Sequence, residues 1–251
     1  MHIRKAVILA GGSGTRLHPV TRATNKHLLP IYDQPAIFHA IDKLVDAGIT
    51  RIMIVTGPDH LDDFAHVLGS GQHWKPKYGK EKQIQITYGI QNKPNGIAQG
   101  LFIAKEYVNE EPCVLYLGDN YIEDDLEPYI KNFKDGATVF LTRVKDPERF
   151  GIATIGKDGT VLSIEEKPKK PKTDLAVAGI YLYDETVFAK MADQKPSVRG
   201  EYEITYVNNK YIKERKLRAV MLKKEWFDVG TFDSLLEVSQ HVKNKRGKTK
   251  R

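Results

Sequence analysis

The chain has 251 residues, and its 39 lysine and arginine residues exceed its 32 acidic residues, giving a formal charge of +7. Six of the basic residues lie in positions 243–251, so the rest of the chain carries 33 basic against 32 acidic residues, which excludes a broadly basic face for nucleic acid. The single cysteine, Cys113, excludes a disulfide framework, and no apolar stretch approaches the roughly 20 residues that cross a bilayer. These features predict a cytoplasmic protein that binds neither nucleic acid nor membrane.

Short apolar runs alternate with segments of helical period over the first half of the chain, which predicts a parallel sheet covered by helices. The predicted strands are residues 6–10, 51–55, 84–88 and 113–117, and the predicted helices are residues 37–45, 61–68 and 97–108. The first helix is expected to stop at Gly48, a residue type that often ends helices. Because the loops after parallel strands gather at one edge of the sheet, we expect the ligand there.

The second half of the chain is richer in strands. They are predicted at residues 138–144, 152–155, 161–165, 176–183 and 217–222, with a hairpin turn at residues 157–159 and helices at residues 201–213 and 232–242. The sequence therefore predicts one mixed α/β domain over residues 1–242, with a first part over about 1–135 and a β-rich part over about 136–231. Residues 243–251 are expected to form a solvated, disordered tail.

A glycine-rich loop follows the first predicted strand. It consists of Gly11, Gly12, Ser13, Gly14, Thr15 and Arg16. Glycine lets backbone N–H groups approach an anion closely, and Arg16 with Lys26 offers positive charge for phosphate oxygens. The loop has neither the Gly-Lys-Ser/Thr ending of a Walker A motif nor the spacing of a dinucleotide-binding G-x-G-x-x-G motif. A tight turn beside two solvated cations is the alternative interpretation.

Two aspartates are candidate metal ligands. Asp119 follows the fourth predicted strand at the ligand-binding edge, where a carboxylate is suited to hold Mg²⁺ against phosphate oxygens. Asp228 is the second candidate, although its distance in sequence leaves the pairing a hypothesis. A role for Asp119 as a simple turn former is the alternative.

Two loops carry polar groups suited to a base and to a sugar phosphate. The Gln91 amide offers one acceptor and two donors, which match thymine or uracil better than cytosine, while a surface location is the alternative. Glu166 and Lys167 pair a hydroxyl acceptor with a cation for phosphate, or else belong to a solvated charged loop. No Ser-His-Asp or Cys-His arrangement indicates a nucleophile.

Five spaced motifs resemble those of the sugar-nucleotide pyrophosphorylases, and most nearly the members that use dTTP and glucose 1-phosphate. The motifs are G-G-S-G-T-R-L-H-P, N-K-H-L-L-P-I-Y-D-Q-P, L-G-D-N, E-E-K-P and R-G-E-Y-E-I-T. Matching blocks run in the family's order from about residue 6 to residue 231, and the chain resembles the short members that lack a long helical C-terminal extension.

The resemblance implies a Rossmann-like, mainly parallel sheet flanked by helices, with a β-rich sugar-binding part, as in the nucleotide-diphospho-sugar transferase fold. It also implies magnesium-dependent direct transfer from dTTP, or from UTP, to glucose 1-phosphate, in a homo-oligomer that serves dTDP-rhamnose and polysaccharide synthesis. By similarity, the nucleotide would be bound by Leu9, Gly11, Gly12, Ser13, Gly14, Thr15, Arg16, Lys26, Gln91, Pro94, Gly96 and Asp119. The sugar phosphate would be bound by Phe150, Gly151, Glu166, Lys167, Val177, Gly179 and Arg199. The metal ligands would be Asp119 and Asp228, and the catalytic residues would be Arg16, Lys26, Asp119 and Lys167.

Three positions depart from the family pattern. Phe150 replaces a frequent tyrosine, Tyr206 replaces an aspartate, and Val229 replaces a small or hydroxylated residue. These changes leave the choice of sugar open. Two functions from other classes also stay open: a catalytically silent nucleotide-sugar sensor, and a dinucleotide-dependent oxidoreductase, which the missing glycine motif disfavours.

Overall fold

The computed structural model describes residues 2–76 and 80–249, and its centre is a nine-stranded mixed sheet. The strands are β1 (Lys5–Ala10), β2 (Pro30–Ile31), β3 (Gln34–Pro35), β4 (Arg51–Thr56), β5 (Gln85–Ile90), β6 (Cys113–Leu117), β7 (Asn120–Ile122), β8 (Ala137–Arg143), β9 (Gly151–Ile155), β10 (Val161–Glu166), β11 (Leu175–Tyr183), β12 (Leu217–Met221) and β13 (Trp226–Asp228). The α-helices are α1 (Ala36–Asp46), α2 (Leu61–Leu68), α3 (Ile97–Ile103), α4 (Lys105–Val108), α5 (Glu127–Lys131), α6 (Ile204–Lys213) and α7 (Phe232–Thr249).

The first half of the chain forms the parallel part of the sheet, in the order β6-β1-β4-β5. β1 lies between β4 and β6 and is buried along almost its whole length, as its continuous apolar run predicts. The four predicted strands of this half are confirmed to within two residues at each end. Their carboxyl ends meet at one edge, so the glycine loop after β1 and Asp119 after β6 become neighbours.

The second half adds antiparallel strands to the same sheet. β11 is the strand that joins the two halves, because it pairs antiparallel with β6 and β9 along one edge and with β8 along the other. β10 pairs with β9, and β12 runs parallel to β8. The predicted mixed α/β fold is confirmed, with the parallel pairing concentrated in the first half.

Apolar cores cover both faces of the sheet. Alternate residues of a strand point to opposite faces, so Ile8 of β1 belongs to one core and Val7 to the other. On the Ile8 side, α1 buries Ile37 and Ile41 completely, and each such side chain stabilises the fold by about 1.5–3 kcal/mol. The helix ends before Gly48, whose φ of 89° lies in the left-handed region, as the sequence predicts.

Several sequence predictions are corrected. The predicted helix 97–108 is divided at Ala104 into α3 and α4, and the helix predicted from residue 201 begins at Ile204. The expected disorder of the basic tail is wrong for residues 243–249, which continue α7, while residues 250–251 lie outside the described residues. The elements β2, β3, β7, β13 and α5 were not predicted from the sequence. No helix in the described part of the chain is long and apolar enough to span a membrane.

Candidate active site

The glycine loop after β1 folds closely around other parts of the site. Gly14 has a φ of 61°, and a Cβ atom built on Gly12 would lie 3.0 Å from Cε of Lys26. A Cβ atom on Gly11 would lie 2.6 Å from Oε1 of Gln91. Glycine is therefore required at Gly11, where a side chain would displace the Gln91 amide. Ser13 and Thr15 are exposed on the same loop.

Lys26 and Asp119 form an ion pair at the edge of the sheet, with side-chain exposures of only 13% and 15%. Asn120 donates a hydrogen bond of 3.0 Å to the other oxygen of Asp119. Burial raises the pKa of Asp119, but attraction to Lys26 and His27 and these hydrogen bonds outweigh burial and hold the pKa below its ordinary value. Asp119 is therefore ionised at neutral pH and is not a simple turn former.

Asp228 lies beside Asp119 because β13 pairs with β7. The antiparallel register places Asp228 opposite Asn120, and the Val229 N–H donates a 2.8 Å hydrogen bond to the Asp119 carbonyl oxygen. Burial, followed by repulsion from Asp119, raises the pKa of Asp228 to about 6, although Lys26, Arg16 and Arg149 oppose the shift. The structure thus brings together two carboxylates whose mutual repulsion a divalent cation would relieve.

Two arginines approach this carboxylate pair. A Cβ atom on Gly230 would lie 2.6 Å from Nη2 of Arg16, so the missing side chain lets Arg16 reach the site. Nη2 of Arg149 donates a 3.1 Å hydrogen bond to Asp228. Sequence reasoning missed Arg149, and the available signal was its position immediately before the Phe150-Gly151 pair.

A cavity of about 310 Å³ opens between the glycine loop and the loop before α3. The predicted nucleotide-binding residues that line it are Leu9, Gly11, Gly12, Lys26, Gln91, Pro94, Gly96 and Asp119. It is also lined by residues that the sequence did not single out: His27, Ile97, Leu117 and Glu201. Ser13, Gly14, Thr15 and Arg16 are not part of this lining.

Gln91 is only 7% exposed, which rules out the surface alternative. Its Nε2 donates a 2.5 Å hydrogen bond to Oε1 of Gln99 and lies 3.4 Å from the Gly96 carbonyl oxygen. Gly96 has a φ of 108°, and a Cβ atom there would lie 2.5 Å from the Tyr202 carbonyl oxygen. The loop that carries Gln91 is therefore packed tightly against the segment before α6.

A second cavity, of about 160 Å³, adjoins the first and is formed by β9, β10, β11 and α6. The predicted sugar-phosphate residues that line it are Phe150, Gly151, Glu166, Lys167 and Val177, together with Arg16, Arg149 and Asp228. Thr205 of α6 donates a 2.7 Å hydrogen bond to Glu166 and so orients its carboxylate. Ile97, Leu117 and Lys167 line both cavities.

Two predicted sugar-phosphate residues lie outside the lining of this cavity. The Gly179 N–H donates a 3.0 Å hydrogen bond to Oδ1 of Asn120, which also accepts a 2.6 Å bond from Trp226. Gly179 thus supports the residue that holds Asp119. Arg199 lies within 4 Å of three carboxylates, those of Glu166, Glu201 and Glu203.

The three departures from the family pattern have local structural reasons. The Phe150 ring packs edge-on against Trp226 at 5.4 Å between centroids, so an apolar ring suits this wall. The Tyr206 ring lies under the Lys210 ammonium at 5.0 Å. Val229 is buried with Val238 and Val242 of α7.

The fold and the two joined cavities define an enzyme that transfers a nucleotidyl group. Residues 5–245 match the family model described as nucleotidyl transferase, and the chain belongs to that family. It is 39% identical over 246 residues to the glucose-1-phosphate thymidylyltransferase of Neisseria meningitidis, covering 95% of this chain and 82% of the relative. It is 40% identical to the enzyme of the same name from Xanthomonas campestris, covering 95% and 80%.

Solved structures agree with this assignment. A Bacillus anthracis structure assigned as a glucose-1-phosphate thymidylyltransferase, in complex with sucrose, is 46% identical with a TM-score of 0.86, covering 94% of each chain. A UDP-glucose pyrophosphorylase bound to UDP-glucose has a TM-score of 0.84 at 23% identity, covering 97% of this chain and 99% of its own. The second likeness concerns the fold alone.

Proposed function

We propose that the protein transfers the thymidylyl group of dTTP to glucose 1-phosphate, giving dTDP-glucose and pyrophosphate. The observation that carries this proposal is the junction of the two cavities at Lys167, with the paired charges of Lys26 and Asp119 on one side and Glu166 on the other. A nucleotide in the first cavity and a sugar phosphate in the second would meet at this junction. The names of the relatives that share about 40% identity support the same pair of substrates.

The reaction is a displacement at the α-phosphorus of dTTP. A phosphate oxygen of glucose 1-phosphate forms a bond to that phosphorus, and the bond to the oxygen bridging the α- and β-phosphates breaks, so pyrophosphate leaves with the electron pair. Because the attacking phosphate is already an anion, no protein base or nucleophile is needed. The protein instead has to align two anions and offset their repulsion.

The side chains divide this work. Lys26, Arg16 and the backbone N–H groups of the glycine loop would bind the triphosphate, while Lys167 would attract the second phosphate at the junction of the cavities. Glu166 would accept hydrogen bonds from sugar hydroxyl groups, with Thr205 holding its carboxylate in place. Asp119 pairs with Lys26 and so orients its ammonium group.

We assign Mg²⁺ as the divalent cation, with Asp119 and Asp228 as its protein ligands. The fit comes from the donor set: Mg²⁺ takes one or two carboxylates and completes its shell with substrate oxygens and water. Burial, and after it the charge of the neighbouring Asp119, raises the pKa of Asp228, and a bound divalent cation would offset the repulsion between the two carboxylates. When bound, the ion supplies neutralising charge at phosphate oxygens.

UTP in place of dTTP is the second candidate. Gln91 meets a base edge that thymine and uracil share, so this residue alone does not separate them. A silent nucleotide-sugar sensor is disfavoured because Arg16, Lys26, Asp119 and Asp228 converge on one edge.

The decisive experiment measures pyrophosphate release over a grid of nucleoside triphosphates and hexose 1-phosphates, with and without Mg²⁺. We expect the highest kcat/KM for dTTP with glucose 1-phosphate, and loss of turnover when EDTA is added. A higher kcat/KM with UTP would select the second candidate. Absence of pyrophosphate release with every pair would refute transfer and leave the sensor.

Further assignments rest on the family resemblance. We propose a cytoplasmic homo-oligomer that supplies dTDP-glucose for dTDP-rhamnose and polysaccharide synthesis. We also propose that residues 1–135 form the nucleotide-binding part and residues 136–231 the sugar-binding part of one domain. Size measurement by light scattering tests the oligomer directly.

A further inference from the structure

The amide of Gln91 is held from one side only. Its Nε2 faces two acceptors, Oε1 of Gln99 at 2.5 Å and the carbonyl oxygen of Gly96 at 3.4 Å. Within residues 2–76 and 80–249, no protein group donates a hydrogen bond to Oε1 of Gln91, although Gln91 lines the nucleotide cavity and is 7% exposed. The amino group is thus engaged by the protein, and the carbonyl oxygen is left for a ligand.

One acceptor is a backbone carbonyl oxygen, and the other is the side-chain oxygen of a helix residue. The Ala98 N–H donates a 3.0 Å hydrogen bond to the Tyr202 carbonyl oxygen, and the Tyr202 N–H donates a 2.7 Å bond to Asn95. These bonds fasten the loop that contains Gly96. Gln99 follows in the first turn of α3, so its side chain reaches Gln91 from a helix and not from a free loop.

This geometry has a consequence for base recognition. Thymine and uracil present an N3–H donor, whereas cytosine presents an unprotonated N3 acceptor at the same place. An amide whose oxygen faces the cavity accepts from N3–H and repels the N3 of cytosine. Rotating the Gln91 amide to suit cytosine would direct its oxygen toward the Gly96 carbonyl oxygen, which places acceptor against acceptor, and would require the Gln99 amide to rotate as well.

We propose that Gln99 is a specificity-determining positioning residue, which accepts from Nε2 of Gln91 and so directs the Gln91 oxygen toward N3–H of a thymine or uracil base. The inference rests on the proposed function, since it assigns the base of the nucleotide bound in the first cavity. Gln99 acts through Gln91 and does not itself contact the base.

The surroundings of Gln99 allow it to be changed without rebuilding the core. Gln99 is partly exposed and also borders a separate cavity of about 410 Å³, beside Phe102, Met191 and Tyr202. Methionine has nearly the length of glutamine, lacks the acceptor and suits this apolar wall. The substitution Gln99→Met therefore removes the hydrogen bond with little change of volume.

The test compares dUTP with dCTP as substrates, because these nucleotides differ only at the base edge in question. For Gln99→Met, we expect the preference for dUTP over dCTP, measured as the ratio of kcat/KM values, to fall about tenfold or more. For Gln99→Glu, whose carboxylate is an acceptor only, we expect the ratio to stay at or above that of the wild type. Gln85→Met, at an exposed glutamine on β5, is the matched control and should leave the ratio unchanged.

The comparison of variants separates a positioning role from general damage. A loss of stability or of transfer rate would lower kcat/KM for both nucleotides and leave their ratio unchanged. An unchanged ratio in Gln99→Met, or an equal fall in Gln99→Met and Gln99→Glu, would overturn the proposal. If Gln99→Met does not fold, Gln99→Ala takes its place, and we expect the same fall in the ratio of kcat/KM for dUTP to kcat/KM for dCTP.

Failure of the proposed function would look different. In that case the wild-type protein would release no pyrophosphate from dTTP, dUTP or dCTP with glucose 1-phosphate. Failure of this inference alone would leave wild-type transfer intact and the base preference independent of Gln99.

Discussion

The nucleotide side and the sugar side of the site hold their cations differently. Lys26 is paired with the carboxylate of Asp119, and both side chains are largely buried. Arg199, on the sugar side, is one-third exposed and lies near the carboxylates of Glu166, Glu201 and Glu203. Arg199 shares its charge among three carboxylates, whereas Lys26 is ion-paired with one, so we expect Arg199 to bind a substrate phosphate more weakly than Lys26 does. The comparison teaches that the carboxylates around a basic residue matter as much as its nearness to a cavity.

Of the substitutions considered, Asp119→Asn should lower activity the most. The change leaves the Lys26 ammonium without its partner in a buried position and removes one proposed metal ligand. We expect kcat/KM to fall about a thousandfold, equivalent to about 4 kcal/mol. Steady-state pyrophosphate release measures the loss, with Asp174→Asn at the exposed Arg143 pair as the control that should stay near wild type. Activity of Asp119→Asn within tenfold of wild type would contradict the assigned role.

Arg16→Ala and Arg199→Ala compare two arginines that the family resemblance assigns to phosphate groups. Arg16 lies against Gly230 and lines the sugar cavity beside Asp228, so its loss should lower kcat about a hundredfold while dTTP binding weakens far less. Arg199→Ala should change kcat/KM less than about fivefold, because its charge is already offset by carboxylates. Turnover and calorimetric dTTP binding, measured for both variants, separate the effects. Equal losses in the two variants would show that Arg199 belongs to the site.

Gly11→Ala should disturb only the nucleotide side. The added methyl group would lie 2.6 Å from Oε1 of Gln91, so the amide has to move. We expect KM for dTTP to rise about tenfold, while KM for glucose 1-phosphate changes little. Gly57→Ala is the matched control, since a Cβ atom there meets nothing within 4 Å and the φ of −72° suits alanine. A Gly11→Ala enzyme with normal KM for dTTP would indicate that Gln91 is not part of the base site.

The last prediction concerns the pH dependence of stability and not catalysis. Burial, reinforced by the Lys26 charge, lowers the pKa of His27 from 6.5 to about 3. Below pH 6.5 the unfolded chain binds a proton that the folded chain excludes down to about pH 3. The free energy of unfolding should therefore fall as the pH drops through this range, by at most about 1.4 kcal/mol per pH unit.

Urea unfolding between pH 7 and pH 4 measures this slope. His27→Gln should reduce the slope, and His66→Gln, at an exposed histidine, should not. The same slope in His27→Gln and in the wild type would assign the acid sensitivity to other groups.

The sequence predicts the long strands of the sheet better than it predicts the meeting of the two carboxylates in the site. β1, β4 and β6 are continuous apolar runs bounded by turns, and such runs report burial on both faces directly. The meeting of Asp119 with Asp228 depends on β7 and β13, which have three residues each. Strands this short carry no readable alternation, so spacing in the sequence does not reveal their pairing.

Two further features of the molecule, the position of Arg149 and the structure of the tail, depend on contacts between residues far apart in the sequence. Arg149 reaches Asp228 over a separation of 79 residues, so its position before the Phe150-Gly151 pair could mark it as a site residue but could not identify its partner. The basic tail shows where a prediction from composition fails. Its basic composition predicts a solvated segment, but helix α7 continues through residues 243–249, and Lys245 forms an ion pair with Glu123. Composition alone does not include the stabilising effect of a partner elsewhere in the fold.

The pairing of β7 with β13 also bears on how the protein is made. The glycine loop, Lys26 and Asp119 are all synthesised more than 100 residues before Asp228, whereas a domain generally folds as a unit. Asp228 reaches its place only after β13 has paired with β7 and Val229 has packed against Val238 and Val242 of the last helix. The phosphate-binding loop is therefore synthesised long before Asp228, and the carboxylate pair is complete only after α7 has been made and has packed against Val229.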